Sequence, residues 1–183
     1  MTQIWIVRHG EAAASWEKDP DPGLSQLGQS QAEETANALM DIVPMGAQLI
    51  SSPLRRAQET AAAFANKRGD SVRVDSRFSE VRSPVPLSGR KAWLQEFMRQ
   101  DWSKQSDDLW EWRRDILSGL KEATGPTVVF CHFLVINAVI AEIENKPEVL
   151  QIYPANASFH ELKLAGGELS LVQLGQQMET RIN

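Results

Sequence analysis

Apolar positions along the chain fall into two rhythms. Four short runs, residues 3–7 (QIWIV), 47–51 (AQLIS), 72–74 (VRV) and 126–131 (PTVVFC), are compact and mostly β-branched or aliphatic, which predicts strands. Between them the spacing lengthens. Leu27, Ala32, Ala36 and Leu39 recur at helical intervals behind Ser25, a residue suited to capping a first turn. Residues 52–69 (SPLRRAQETAAAFANKRG) predict a second helix, with Ser52 as its N-cap, Pro53 at the first position and Gly69 at the stop. Helical patterns also cover residues 91–99 and 107–123, and another helix runs from Phe133 to about Asn145. Residues 157–174 alternate on either side of Gly166–Gly167 and predict a hairpin.

Strands that alternate with helices build a mostly parallel sheet covered on both faces. The expected fold is α/β: a three-layer α/β/α sandwich with a mostly parallel central sheet and an antiparallel edge from the C-terminal hairpin. No repeat, low-complexity tract or linker breaks the pattern, so residues 1–183 read as one domain. Within it, the segment at about 82–108, rich in Trp, Pro, Arg and Ser, reads as an insertion over one face.

Composition narrows the partners. With 42% hydrophobic and 23% charged residues, a chain of 183 can bury a proper core. A net charge of −5 argues against nucleic acid or an anionic membrane as the main partner, while leaving room for a local basic pocket. No apolar stretch is long enough to span a bilayer, and the start of the chain lacks the pattern of a secretory leader. A single cysteine, Cys131, excludes an intramolecular disulfide and fits a reducing compartment, so the expected location is the cytoplasm.

The candidate chemistry sits where strands end. Arg8, His9 and Gly10 follow the first strand; Arg55 and Arg56 lie in the first turn after the second; His132 ends the fourth; Glu80 lies a few residues beyond the third. Ligands of parallel sheets bind outside the carboxyl ends of the strands, so order alone predicts convergence. Arginine forks and helix N-termini suit phosphate oxygens, and Gly10 would let the backbone approach a ligand. Phosphoryl transfer needs an in-line nucleophile, compensation of charge on the equatorial oxygens and a proton for the leaving oxygen. His9, then Arg8, Arg56 and His132, then Glu80 match those needs. Glu11, Asp75 and Glu96 are further carboxylates to weigh against Glu80.

RHGE (8–11), LSQLGQSQA (24–32), SSPLRRAQETA (51–61), FSEV (78–81) and the strand-terminal His132 together resemble the histidine phosphatase superfamily, also called phosphoglycerate-mutase-like. The likeness runs from Ile4 to about Ile143 with the motifs in family order. It implies a covalent phosphohistidine on His9, held by Arg8, Arg56 and His132. It implies Glu80 as the general acid that afterwards activates water. It sets Arg56, immediately before Ala57, in the pocket and turns Arg55 elsewhere. Ser15 stands where mutase members tend to carry Asn and is a candidate phosphate donor. Phe133 stands where the family often has Gly, which would narrow the pocket or shift a backbone donor at the phosphate. These departures, with the segment after Glu80, point to a phosphatase acting on a small phosphorylated metabolite rather than a mutase-type phosphotransferase. A phosphate-binding regulatory module without catalysis is the reading from another class.

Other chemistries fit less well. A cysteine phosphatase built on Cys131 would need an arginine six residues on, where Asn137 stands. Three scattered histidines beside arginines make a poor metal site, and no cofactor fingerprint is present, so neither metal nor cofactor is expected. Trp93, Trp102, Trp110 and Trp112 read as packing, with a lid as the minority reading. Arg82 and Arg90 are in reach of a second acidic group on a substrate, and His160 reads as structural or exposed. Activity is expected to fall on acidification as His9 protonates. Oligomeric state and natural substrate are not readable from these residues.

Overall fold

The computed structural model describes residues 1–15 and 18–179. Strand β1 (Thr2–Arg8) leads through a loop to helix α1 (Gln26–Ile42), and β2 (Gln48–Ser51) leads to α2 (Arg55–Arg68). After β3 (Arg73–Val74) come α3 (Arg90–Phe97) and α4 (Asp107–Lys121). Then β4 (Thr127–Cys131) feeds α5 (Phe133–Glu144), and β5 (Phe159–Ala165) and β6 (Glu168–Gln173) form the terminal hairpin. The sheet order is β3-β2-β4-β1-β5-β6. β4 pairs in parallel with β1 and β2, β2 with β3, while β5 runs antiparallel to β1 and β6 to β5. This is the α/β fold with an antiparallel edge that the alternating pattern predicts.

Period-two alternation divides the core between the two faces of the sheet. Ile4, Ile6, Ile50, Val129 and Cys131 point to the face covered by α3, α4 and α5. Trp5, Val7, Leu49, Val128 and Phe130 point to the face covered by α1 and α2, where Phe64 fills the centre. Each such side chain contributes roughly 1.5–3 kcal/mol on burial. Both faces of β1 and β4 are sealed, so these strands are rigid and deliver their last residues to fixed positions. No helix among the described residues is long and apolar enough to cross a membrane.

Two local devices aim the site. Gly119 on α4 lies under the Phe78 ring, where an added Cβ would come within 2.7 Å of Cζ. Phe78 is fully buried there, two residues before Glu80. Arg77 clamps the same segment by bonding both Asp75 and Glu122, the latter at the end of α4, at 2.7–3.2 Å. Asp75 is thereby a structural anchor, and Glu96 accepts from the Gln100 side chain at the surface.

Ser25 caps α1 as expected, accepting from the Gly28 N–H, and α2 stops at Gly69. Ser52 does not cap α2. The helix begins two residues later with Leu54 as its N-cap, because the Ser52 hydroxyl is turned inward. The tryptophans pack: Trp93 stacks on Phe97 at 5.0 Å, Trp102 meets Phe97, Trp110 and Trp112, and the Arg113 guanidinium lies over Trp102 and Trp110.

Candidate active site

The parallel register sets the strand ends level: Arg8 is opposite Cys131, and Ser51 is opposite Phe130. His9 is the residue where β1 leaves the sheet. Its N–H donates to the Cys131 carbonyl at 3.1 Å and its carbonyl accepts from the Ala157 N–H at 3.0 Å, so the backbone is fixed on both sides. The ring is fixed as well. Nδ1 lies 2.6 Å from the Gly10 carbonyl, and Nε2 accepts from Arg56 Nε at 3.1 Å. A guanidinium only donates, so Nε2 carries a lone pair and the ring proton sits on Nδ1.

Arg56 reaches His9 from the first turn of α2, where it is buried, while its neighbour Arg55 faces outward and pairs with Glu59. Thr60, one turn on, accepts from the Gly10 N–H at 3.0 Å and donates to the Arg56 carbonyl at 2.8 Å. That hydroxyl locks the loop after β1 to the start of α2, and thus His9 to Arg56. Gly10 is required by this packing: a Cβ there would come within 2.5 Å of the Gly28 carbonyl oxygen on α1.

Arg8 runs along the opposite side. Its Nη1 donates to the Pro154 carbonyl at 2.8 Å, its guanidinium lies 5.2 Å from the centre of the Phe133 ring, and its Nε is buried without a partner. His132, completely buried, occupies the N-cap of α5 with its ring 5.2 Å from that of His9. Its Nε2 is 2.8 Å from Ser52 Oγ, and its Nδ1 has no partner. The Ser52 hydroxyl already accepts from the Leu54 N–H at 3.2 Å and can give its own proton to Nε2. His132 then holds its proton on Nδ1.

Glu80 is half-buried on the wall of the same cavity as Arg8, His9 and Arg56. Its Oε1 accepts from the Val81 N–H at 3.0 Å and its Oε2 from the Leu134 N–H at 3.1 Å, at the start of α5. Ser15 and Glu11 are on the exposed rim, and the Phe133 ring forms part of the wall. Glu11 there accepts from the Ser25 hydroxyl. Arg90, the first residue of α3, also lines the cavity and donates to the Val81 carbonyl at 3.0 Å. Arg82 lies on a separate cavity beside Asp108 and Trp112.

The electrostatics follow from enclosure. Burial, then the Arg56 and Arg8 charges, holds the His9 pKa down at about 3. Burial, with His9 and the arginines, keeps His132 neutral well below the usual histidine range. Burial pushes Glu80 above the ordinary carboxylate range despite two N–H donors and the Arg56 and Arg90 charges. Arg8 is lowered to about 10 and keeps its charge at neutral pH. The fall on acidification expected through protonation of His9 is thereby set in the strongly acid range, at about pH 3. Outside the site, His160 has both ring nitrogens satisfied, by Ser158 Oγ and the Gly175 N–H, and is structural as read. The Cys131 thiol is fully buried, and burial pushes its pKa up.

Ser52, Thr60 and the Gly10 carbonyl are the parts that motif reasoning passes over. Ser52 and Thr60 lie inside the 51–61 stretch, yet a hydroxyl's target depends on which strand lies opposite, and no local pattern carries that.

Residues 4–177 match the family model for the histidine phosphatase superfamily, branch 1. The chain belongs to that superfamily. Among curated members, it is 35% identical over 85 residues to a glucosyl-3-phosphoglycerate phosphatase of Mycolicibacterium vanbaalenii, a match covering 44% of this chain and 37% of the relative. It is 27% identical over 130 residues to a probable phosphoglycerate mutase of Enterobacter, covering 69% and 54%. The matched stretch thus spans about a third to a half of these curated relatives. Among solved structures, phosphoserine phosphatase from Entamoeba histolytica in complex with 3-phosphoglyceric acid superposes with a TM-score of 0.71 at 19% identity, covering 97% of this chain and 98% of that one. Membership in the superfamily agrees with the resemblance carried by the ordered motifs, and the likeness of fold spans almost the whole chain.

Proposed function

We propose that this histidine phosphatase superfamily member hydrolyses phosphomonoesters of small molecules through a covalent phosphohistidine on His9. The observation that carries this reading is the double tether of the His9 ring, Nδ1 to the Gly10 carbonyl and Nε2 to Arg56. It leaves a neutral imidazole with its lone pair aimed at a guanidinium that would hold phosphate.

In the first step Nε2 attacks phosphorus, the bond from phosphorus to the ester oxygen breaks, and that oxygen takes a proton from Glu80. The ring becomes cationic while Nδ1 keeps its proton, so the bond to the Gly10 carbonyl strengthens as the charge develops. Arg8, Arg56 and the Nδ1 proton of His132 compensate charge on the equatorial oxygens. In the second step Glu80, now ionised, takes a proton from water as the water oxygen attacks phosphorus. The bond to Nε2 breaks and the lone pair returns to His9. The raised pKa of Glu80 suits a carboxyl that must begin each cycle protonated. Ser15 on the rim is a supplementary donor to the same group.

Turnover of 4-nitrophenyl phosphate, abolished in His9→Ala with binding of orthophosphate retained, is the expected result. Orthophosphate binding by the wild type without turnover of any ester would make the protein a binding module instead. The likeness to the Enterobacter protein favours a second reading, transfer of the phosphoryl group between hydroxyls. Stimulation by a bisphosphate primer would mark that activity; the hydrolase reading predicts none.

A further inference from the structure

The cavity that holds the phosphate cluster has a second half, and its chemistry is different. Its volume is about 530 Å³. Once Arg8, His9 and Arg56 are assigned to the phosphoryl group and Glu80 to the leaving oxygen, most of the described lining that remains is apolar, Leu94, Met98, Phe133 and Met178 among it, with Glu11, Ser15 and Asn156 as polar members. Phe133 and Tyr153 meet edge to face at 6.2 Å, making an aromatic corner at the mouth. Leu94 and Met98 come from α3 and the turn after it, within residues 82–108. Among the described residues, Arg90 is the one further cation on the lining. That guanidinium is engaged with the Val81 carbonyl, and its charge acts on Glu80.

Such a wall offers little to a leaving group that carries hydroxyls or a carboxylate. Where they lie against Leu94, Met98 and Phe133, those groups would lose water without gaining partners, and polar atoms await them only toward Glu11, Ser15, Asn156 and Arg90. A ring or a compact hydrocarbon of matching size would gain by leaving water.

We infer that the substrates of this site are phosphomonoesters of apolar, preferably aromatic, alcohols rather than of hydroxy acids or sugars. The inference rests on the phosphatase reading above. Residues 82–108 set this preference through Leu94 and Met98, while the residues that would perform the chemistry lie at the strand ends.

The test compares esters whose leaving groups are all alcohols, so that intrinsic reactivity is matched: benzyl phosphate against phosphoserine and 3-phosphoglycerate. The expected result is a kcat/KM for benzyl phosphate higher by at least about tenfold, the discrimination that a well-shaped apolar pocket provides. Leu94→Asn and, independently, Met98→Gln should each narrow that ratio several-fold while the inhibition constant of orthophosphate stays within about twofold. Equal or reversed preference, or a ratio untouched in both folded variants, overturns the inference and leaves the phosphatase reading intact. Absence of turnover with every ester, including 4-nitrophenyl phosphate, overturns the phosphatase reading and this inference with it.

Discussion

The two halves of the active-site cavity are built on opposite principles. At the phosphate end, His9 and Arg56 are tied to one another, and Ser52, Thr60 and the Gly10 carbonyl hold their surroundings through hydrogen bonds of 2.6–3.1 Å. At the leaving-group end, Leu94 and Met98 are half-buried, and the helix that carries Leu94 is backed by Trp93 stacked on Phe97 and by Trp102 edge-on to Phe97. Strand register fixes the first; side-chain packing of a segment beside the sheet fixes the second. On the proposed reading chemistry and choice of substrate are separable, and substitutions should sort into two classes accordingly.

The largest effects belong to the phosphate end. On the proposed mechanism His9→Ala removes the attacking lone pair and should lower kcat by about 10⁴-fold or more for every ester, leaving their rank order no longer measurable. Glu80→Gln should lower kcat for benzyl phosphate by about 10²–10⁴-fold and for 4-nitrophenyl phosphate by much less, because a nitrophenolate departs without a proton. The same variant sharpens the pH dependence. With Glu80 raised above the ordinary carboxylate range and His9 neutral down to about pH 3, the wild type should stay active on the acid side and lose activity on the alkaline side as Glu80 ionises. A pH–rate profile with benzyl phosphate, whose alkoxide needs that proton, should show the alkaline limb in the wild type and lose it in Glu80→Gln.

The phosphate end was also the legible part of the sequence. Strand ends in an α/β fold are predictable positions, so Arg8, His9, Arg56 and His132 could be brought together from order alone, and the structure does bring them together. The partners that hold them were less visible. Ser52 precedes a proline at the start of a helix and satisfies every local rule for a cap. Its actual use depends on β4 lying beside β2, a tertiary fact that overrides the local one. Gly10 likewise packs on Gly28 of α1, a contact that no local pattern announces. The leaving-group wall was opaque because residues 82–108 have no strand register to anchor a reading; their tryptophans announce packing without saying against what.

Smaller effects refine the contrast. Ser52→Ala removes the hydroxyl that orients His132 and should lower kcat by about fivefold, the worth of about 1 kcal/mol. Nitrogen NMR should show the His132 proton no longer confined to Nδ1, a change that a purely structural serine would not produce. His160→Asn lies outside both halves and should leave turnover within about twofold while changing the response to acid. His9 and His160 have folded pKa values near 3 and 4 against an ordinary 6.5. The unfolded chain therefore binds protons first, and the stability these histidines contribute is present above about pH 6.5 and lost as pH falls toward those values. Each accounts for up to about 1.4 kcal/mol per pH unit within that window. Replacing His160 should flatten the decline of Tm between pH 6 and 4, in roughly that proportion.

The central claim is that a phosphoryl group passes through His9 Nε2. Mixing the enzyme with 4-nitrophenyl phosphate, quenching in base within the first turnovers and mapping the modified peptide by mass spectrometry tests it most directly. The prediction is one phosphoryl group on the peptide containing His9, stable in base, labile in acid and absent from His9→Ala. Turnover at full rate in His9→Ala, or a phosphoryl group found on any other residue, would contradict it.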